Sequence, residues 1–106
     1  MQIKDGANYD GLTREMREAC VIIDRVYTRY DYVCVLTSGK DGTHGEGSLH
    51  YEGRAGDFRT RQVTPENKHK IIADCQKELG PEFEVILEDS HIHVEHDPQH
   101  NRRVKA

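Results

Sequence analysis

The sequence predicts an α+β fold: a small, mainly antiparallel sheet with two helices packed on one face. Two segments carry apolar residues at three- and four-residue spacing, as amphipathic helices do. Short β-prone runs separate and follow these segments, and the last two runs alternate between apolar and ionisable residues. Because strands and helices do not alternate regularly, an antiparallel sheet covered on one side is favoured over a parallel one.

The first helix is predicted to begin near Leu12, with Asp10 as its N-cap. The polar, glycine-containing residues 1–11 before it are expected to form a loop. The apolar stripe of this helix consists of Leu12, Met16, Ala19, Cys20, Ile23, Val26, Tyr27 and Tyr30.

The run Tyr-Val-Cys-Val-Leu at 32–36 predicts a strand buried on both faces. A glycine-rich segment at 38–47 follows, and a loop this long in a small domain is usually functional.

A second strand is predicted at 56–60, with Asp57 on one face and Phe58 on the other. The second helix has clear boundaries. Thr64 is the expected N-cap, Pro65 occupies the first helical position, and the Gly-Pro pair at 80–81 ends the helix.

The last two strands, 83–88 and 91–95, can be placed in register if Asp-Ser at 89–90 is the turn. This register sets Glu88 opposite His91, Ile86 opposite His93, and Glu84 opposite Glu95. Residues opposite one another point to the same side of a sheet. One face of the hairpin is then wholly apolar, and the other is mostly ionisable. A shift of one residue would mix the two faces, so the clean separation supports the register.

Length and composition limit the possible functions. The chain has 106 residues, which fits one domain at 1–98 and a polar C-terminal tail at 99–106. The net charge is −4 with no basic block, which argues against nucleic-acid binding. No apolar run approaches the ~20 residues of a membrane span, so no membrane insertion is expected. The N-terminus has no apolar signal-peptide core, which predicts synthesis in the cytoplasm. Three widely spaced cysteines predict buried free thiols.

Histidine is the unusual component, with seven residues that fall mostly in two clusters. His44, His50 and Asp57 lie in or just after the glycine-rich segment. His91 and His93 are two residues apart on a strand and point the same way, so either or both could reach one metal ion. Two histidines and a carboxylate form a set typical of catalytic zinc, with the fourth position open to water. A solvated polar face is the alternative interpretation of the hairpin.

Residues 48–57 (SLHYEGRAGD) and His-Ile-His at 91–93 resemble a known superfamily. It comprises the zinc D-Ala-D-Ala carboxypeptidases and phage endolysin peptidases of the M15 type, and the hedgehog signalling domain shares its fold. The resemblance implies that His50, Asp57 and His93 bind Zn²⁺. It also implies that Glu88 is the general base, with His91 and His44 near the metal as groups that contact the oxyanion or the substrate.

The function implied by the resemblance is hydrolysis of peptidoglycan stem peptides, at D-Ala-D-Ala or at L-Ala-D-Glu, by a monomer that reaches the cell wall after phage-type release. One departure is that the Arg of the Ser-Gly-x-Arg motif, found before the first ligand in many M15 enzymes, is absent here, because Ser-Gly at 38–39 is followed by Lys40 and Asp41. This departure keeps a second hypothesis open, a non-catalytic, zinc-containing hedgehog-like binding module. A phage structural protein with a degenerate site is a third.

Overall fold

The structure is a computed structural model that describes residues 1–41 and 48–98. Within them, helices α1 (Arg14–Arg29) and α2 (Pro65–Leu79) accompany a five-stranded sheet. The strands are β1 (Gln2–Ile3), β2 (Val35–Ser38), β3 (Ala55–Arg59), β4 (Phe83–Leu87) and β5 (His91–His96). Their order is β1-β2-β3-β5-β4, and β1 and β2 are parallel whereas the other neighbours are antiparallel. The predicted α+β class is therefore confirmed.

One hydrophobic core lies between the helices and one face of the sheet. The helices contribute the fully buried Met16, Val26 and Ile71, and the sheet contributes Leu36 and Phe58. Alternate strand residues point to the opposite face, which therefore carries the polar side chains. Within the described residues, no helix is long and apolar enough to cross a membrane.

The predicted ends of α2 are confirmed, whereas the predicted start of α1 is wrong. Thr64 caps α2 by accepting a hydrogen bond from the Asn67 amide, and the helix ends at Gly80. In α1 the N-cap is Thr13, whose hydroxyl accepts from the Met16 amide, and not Asp10. The reason is a turn just before the helix, in which the Leu12 amide donates to the Tyr9 carbonyl.

Two further predictions at the N-terminal side of the sheet need correction. The expected loop at 1–11 contains β1, which extends the sheet beside β2. The Gln2 amide donates to the Cys34 carbonyl, and the Lys4 amide donates to the Leu36 carbonyl. The strand predicted at 32–36 runs instead from Val35 to Ser38. Tyr32 and its neighbours continue the turn after α1, where the Tyr32 amide donates to Tyr27. The short helix Leu49–Glu52, a single 3₁₀ turn, was not expected.

The predicted hairpin register is confirmed. Ile86 pairs with His93 and Glu84 pairs with Glu95, while the Glu88 amide donates to the His91 carbonyl at 2.9 Å. Strand β5 also pairs with β3, where Asp57 is opposite His93. The polar face of the hairpin is thereby joined to the polar face of β3. His44 and the predicted tail at 99–106 lie outside the described residues.

Candidate metal centre

Three side chains from separate elements converge on the polar face of the sheet. His50 lies on the 3₁₀ turn, whose cap Ser48 accepts a hydrogen bond from the His50 amide. Asp57 is in the middle of β3, and His93 is its register partner on β5. The 3₁₀ turn packs against both strands, and this packing brings His50 to the other two residues. Among the described residues, these three form a group of ligand type whose ligand atoms all lie within 4.8 Å of one another.

The distances within this triad, His50, Asp57 and His93, fit a tetrahedral cation. His50 Nε2 is 3.3 Å from Asp57 Oδ1 and 3.3 Å from His93 Nδ1. The third edge, from His93 Nδ1 to Asp57 Oδ1, is 3.0 Å. Two ligands bound to tetrahedral Zn²⁺ at 2.0–2.1 Å are about 3.3 Å apart. The three atoms therefore already lie close to the spacing that zinc requires.

The remaining ring nitrogens are held by hydrogen-bond acceptors outside the triad. His50 Nδ1 is 2.7 Å from the Gly39 carbonyl oxygen, and His93 Nε2 is 2.9 Å from Glu95 Oε1. A carbonyl and a carboxylate only accept hydrogen bonds, so each of these nitrogens must carry the proton. This arrangement fixes the tautomers, and partners of this kind are typical of metal-binding histidines.

In the neutral tautomers set by these partners, the triad brings three acceptors together. His50 Nε2 and His93 Nδ1 present lone pairs to one another and to the Asp57 carboxylate. Such a cluster is favourable only with a positive charge among its members, either an added proton or a metal ion. The residues present therefore fit a divalent cation of the zinc type.

The electrostatics of the cation-free triad agree with this conclusion. Burial acts to raise the pKa of Asp57, but its interactions with the imidazoles of His50 and His93 outweigh burial, and the pKa lies well below its ordinary value. The hydrogen bond to Asp57 raises the pKa of His93; desolvation opposes this shift and Glu95 adds to it. Both shifts favour a positive charge within the triad.

A second layer of contacts fixes the Gly39 carbonyl that orients His50. The Asp41 carboxylate accepts hydrogen bonds from the amides of Gly39, at 2.7 Å, and Asn8, at 2.6 Å. A Cβ atom on residue 39 would lie 2.3 Å from the Asn8 carbonyl oxygen, so only glycine fits there. The 3₁₀ turn ends at Gly53, which has a φ of 71° and would bring a Cβ within 2.2 Å of the Gly11 oxygen.

The triad is largely buried, and His50 is its most deeply buried member. The side chain of His50 is only 2% exposed, whereas those of Asp57 and His93 are 12% and 17% exposed. The described residues supply three ligands, and the partial exposure of Asp57 and His93 would let a fourth ligand reach a bound ion from solution. Among the described residues the set is therefore one ligand short of the four that close a structural zinc site.

The two other candidates that the structure describes lie beside the triad. His91 Nε2 is 3.6 Å from Asp57 Oδ1, and His91 Nδ1 is 3.2 Å from the Ser90 hydroxyl. Glu88 follows on the same face of the hairpin, next to His91, and is exposed. Within the described part of the chain, no hydrogen bond or ion pair joins the Glu88 side chain to the triad, so its role as a base stays a prediction.

Comparison with known proteins shows similarity to hedgehog proteins. The chain is 35% identical over 67 residues to the Indian hedgehog B protein of Danio rerio. It is 36% identical over the same length to the Indian hedgehog proteins of Gallus gallus and Xenopus laevis. Each match covers 63% of this chain and 16% of the relative, so the chain spans only a small part of the proteins it matches. No protein-family model matches. The similarity supports the hedgehog-like part of the predicted fold.

Proposed function

We propose that this chain is a zinc-binding module of the hedgehog type, with His50, Asp57 and His93 as the metal ligands. The observation that carries the proposal is the convergence of three lone-pair-bearing atoms at 3.0–3.3 Å, with both imidazoles held in the metal-binding tautomer. The similarity to hedgehog proteins supports the same conclusion.

Zinc is the ion that this ligand set favours. Two imidazole nitrogens and one carboxylate oxygen suit Zn²⁺, whereas Mg²⁺ and Ca²⁺ prefer six or more oxygen ligands. The described chain is also small, so one bound ion contributes a large share of its stability.

Metal analysis and thermal unfolding test the proposal. The purified chain should bind one zinc ion, and a chelator should lower its unfolding temperature. Asp57→Asn should weaken zinc binding by more than about a hundredfold, because it removes a direct ligand whereas loss of a supporting contact costs about 10–100-fold. Asp10→Asn is the matched control, since Asp10 is exposed and remote in sequence from the triad. Equal zinc affinity in the two variants would refute the assignment.

A second candidate function is hydrolysis of a peptide bond, with peptidoglycan stem peptides as the substrate class. The specific observation in its favour is that the described residues supply three ligands, of which Asp57 and His93 retain 12% and 17% side-chain exposure. A zinc ion held in this way supplies Lewis acidity and activates water when it is bound.

The chain's own residues would then divide the remaining work. Glu88, at the open end of the polar face, would accept the proton of the attacking water and deliver it to the leaving amine. His91, which lies between Glu88 and Asp57, would donate a hydrogen bond to the developing oxyanion. Asp57 and His93 are rigidly paired across two strands, so they would hold the reacting groups in a fixed position.

Incubation with muramyl stem peptides, with and without a chelator, separates the two functions. Chelator-sensitive cleavage that Glu88→Gln abolishes while zinc content is retained would support hydrolysis with Glu88 as the base. Full cleavage by Glu88→Gln would exclude Glu88 from that role. Zinc binding without cleavage of any stem peptide would leave the non-catalytic module as the function.

A further inference from the structure

A groove on the polar face of the sheet begins beside the triad and is strongly basic. Its volume is about 280 Å³, close to the lower end of the ~300–1,000 Å³ typical of ligand pockets. The groove is lined by Lys4, Thr37, Arg59, Arg61, Ser90 and His91. It therefore brings together three cations from three segments: the residue after β1, the end of β3, and the turn that follows β3.

These cations have no counter-charge within the described residues. None of Lys4, Arg59 and Arg61 forms an ion pair in the part of the chain that the structure describes. The chain as a whole carries a net charge of −4, so a local concentration of three unpaired cations runs against the overall balance. Like charges placed together repel one another, and an anion bound among them would relieve the repulsion.

The groove adjoins the candidate metal centre through His91. Arg59 is the register partner of His91 and lies two residues after Asp57, so all three side chains share one face. His91 lines the groove and also approaches Asp57 Oδ1 at 3.6 Å. The backbone of Arg59 is fixed, because its carbonyl accepts a hydrogen bond from the buried Tyr27 hydroxyl at 2.9 Å. A ligand that reaches the triad can therefore extend a second group to the arginines.

We propose that this groove is an anion subsite, in which Lys4, Arg59 and Arg61 hold a carboxylate, phosphate or sulfate group of the ligand that occupies the metal centre. Guanidinium groups bind all three anions through paired, charge-assisted hydrogen bonds. The subsite makes the metal centre selective for anionic ligands over neutral ones of the same size. The link to the metal's ligand rests on the proposed function, whereas anion binding in the groove does not.

The test uses the whole chain and small anions as probes. Sulfate, inorganic phosphate and acetate are titrated at constant ionic strength into the metal-free chain, and binding is followed by amide NMR shifts. The metal-free form is used so that no anion can bind to zinc. Sulfate and acetate are then titrated into the zinc-loaded chain. Comparison of acetate with the two tetrahedral anions identifies which kind of group the subsite prefers.

We expect saturable shifts centred on Arg59, Arg61 and His91. Arg59→Gln and Arg61→Gln should each weaken binding by about tenfold or more, as expected for the loss of a charged hydrogen-bonding partner. Arg25→Gln is the matched control, because Arg25 is exposed on α1 and the substitution removes the same charge. Zinc content is measured for every variant, so that failure of the metal site is seen separately from failure of the subsite.

Two outcomes would overturn the subsite. One is that the amide shifts do not saturate with any of the three anions, even when the anion concentration is raised above about 10 mM. The other is an equal loss of binding in Arg25→Gln, which would mean that only the net charge matters. If the chain bound anions through Arg59 and Arg61 but bound no zinc, the subsite would stand and the proposed function would fail.

Discussion

Replacement of Glu95 by Gln tests how the candidate metal centre is supported. Glu95 Oε1 is 2.9 Å from His93 Nε2, and the Glu95 side chain is only 18% exposed. Gln has nearly the same shape and can still accept the hydrogen bond, but it lacks the charge that makes His93 a stronger ligand. Loss of such a partner costs about 10–100-fold in metal affinity, or about 1.4–2.7 kcal/mol. Since the substitution preserves shape, we expect the lower end of this range.

The assay is a competition titration of zinc between the chain and a chromophoric chelator. Glu18→Gln serves as the control, because it makes the same chemical change at an exposed position on α1. The unfolding temperature of the metal-free Glu95 variant shows whether the fold is retained. Zinc affinity within twofold of the unaltered chain, in a folded Glu95→Gln protein, would refute the role of this carboxylate in orienting His93.

Four further predictions follow from the described contacts. Gly39→Ala should destabilise the fold by about 1–3 kcal/mol in urea unfolding and weaken zinc binding, because the added methyl overlaps the Asn8 carbonyl. The pKa of His93 is raised above its ordinary 6.5, so zinc affinity should fall as the pH is lowered through that folded-state pKa. The proton on His93 should also stabilise the metal-free fold. This contribution to the free energy of unfolding should be complete below pH 6.5 and lost as the pH rises through the folded-state pKa of His93, and urea unfolding at several pH values measures it. Burial raises the pKa of Cys20 and Cys75 to about 12, so these thiols should react with a thiol reagent only after denaturation.

The parts of the fold that could be predicted are those whose residue pattern has one interpretation. The β4–β5 hairpin alternates strictly, and a shift of one residue would have buried charges, so its register was determined. Helix α2 has a cap, a proline and a glycine at the positions where these residues favour helix ends. Strand β1 has only two residues, which is too short for any periodicity to be visible. The start of α1 was predicted with Asp10 as its N-cap, and only the turn that precedes the helix places Thr13 there instead.

Some features of the candidate site could likewise be predicted from the sequence, and others could not. The convergence of His50, Asp57 and His93 was expected from the resemblance of residues 48–57 and 91–93 to a family of zinc proteins, whereas the histidine clusters alone left open whether His91 or His93 is the ligand. The Gly39 carbonyl that orients His50 could not be predicted, since every residue has a carbonyl and nothing in its neighbours marks this one. Glu95 did carry a signal, because it lies two residues after His93 and therefore on the same face of β5.

Anomalous X-ray diffraction from crystals of the zinc-loaded chain tests the central proposal most directly. We predict one strong anomalous peak, with His50 Nε2, Asp57 Oδ1 and His93 Nδ1 at about 2.0–2.2 Å from it. The His50 Nδ1 contact to Gly39 should be retained. A fully zinc-saturated crystal with no peak at the triad, or with these three side chains turned away from one another, would contradict the proposal.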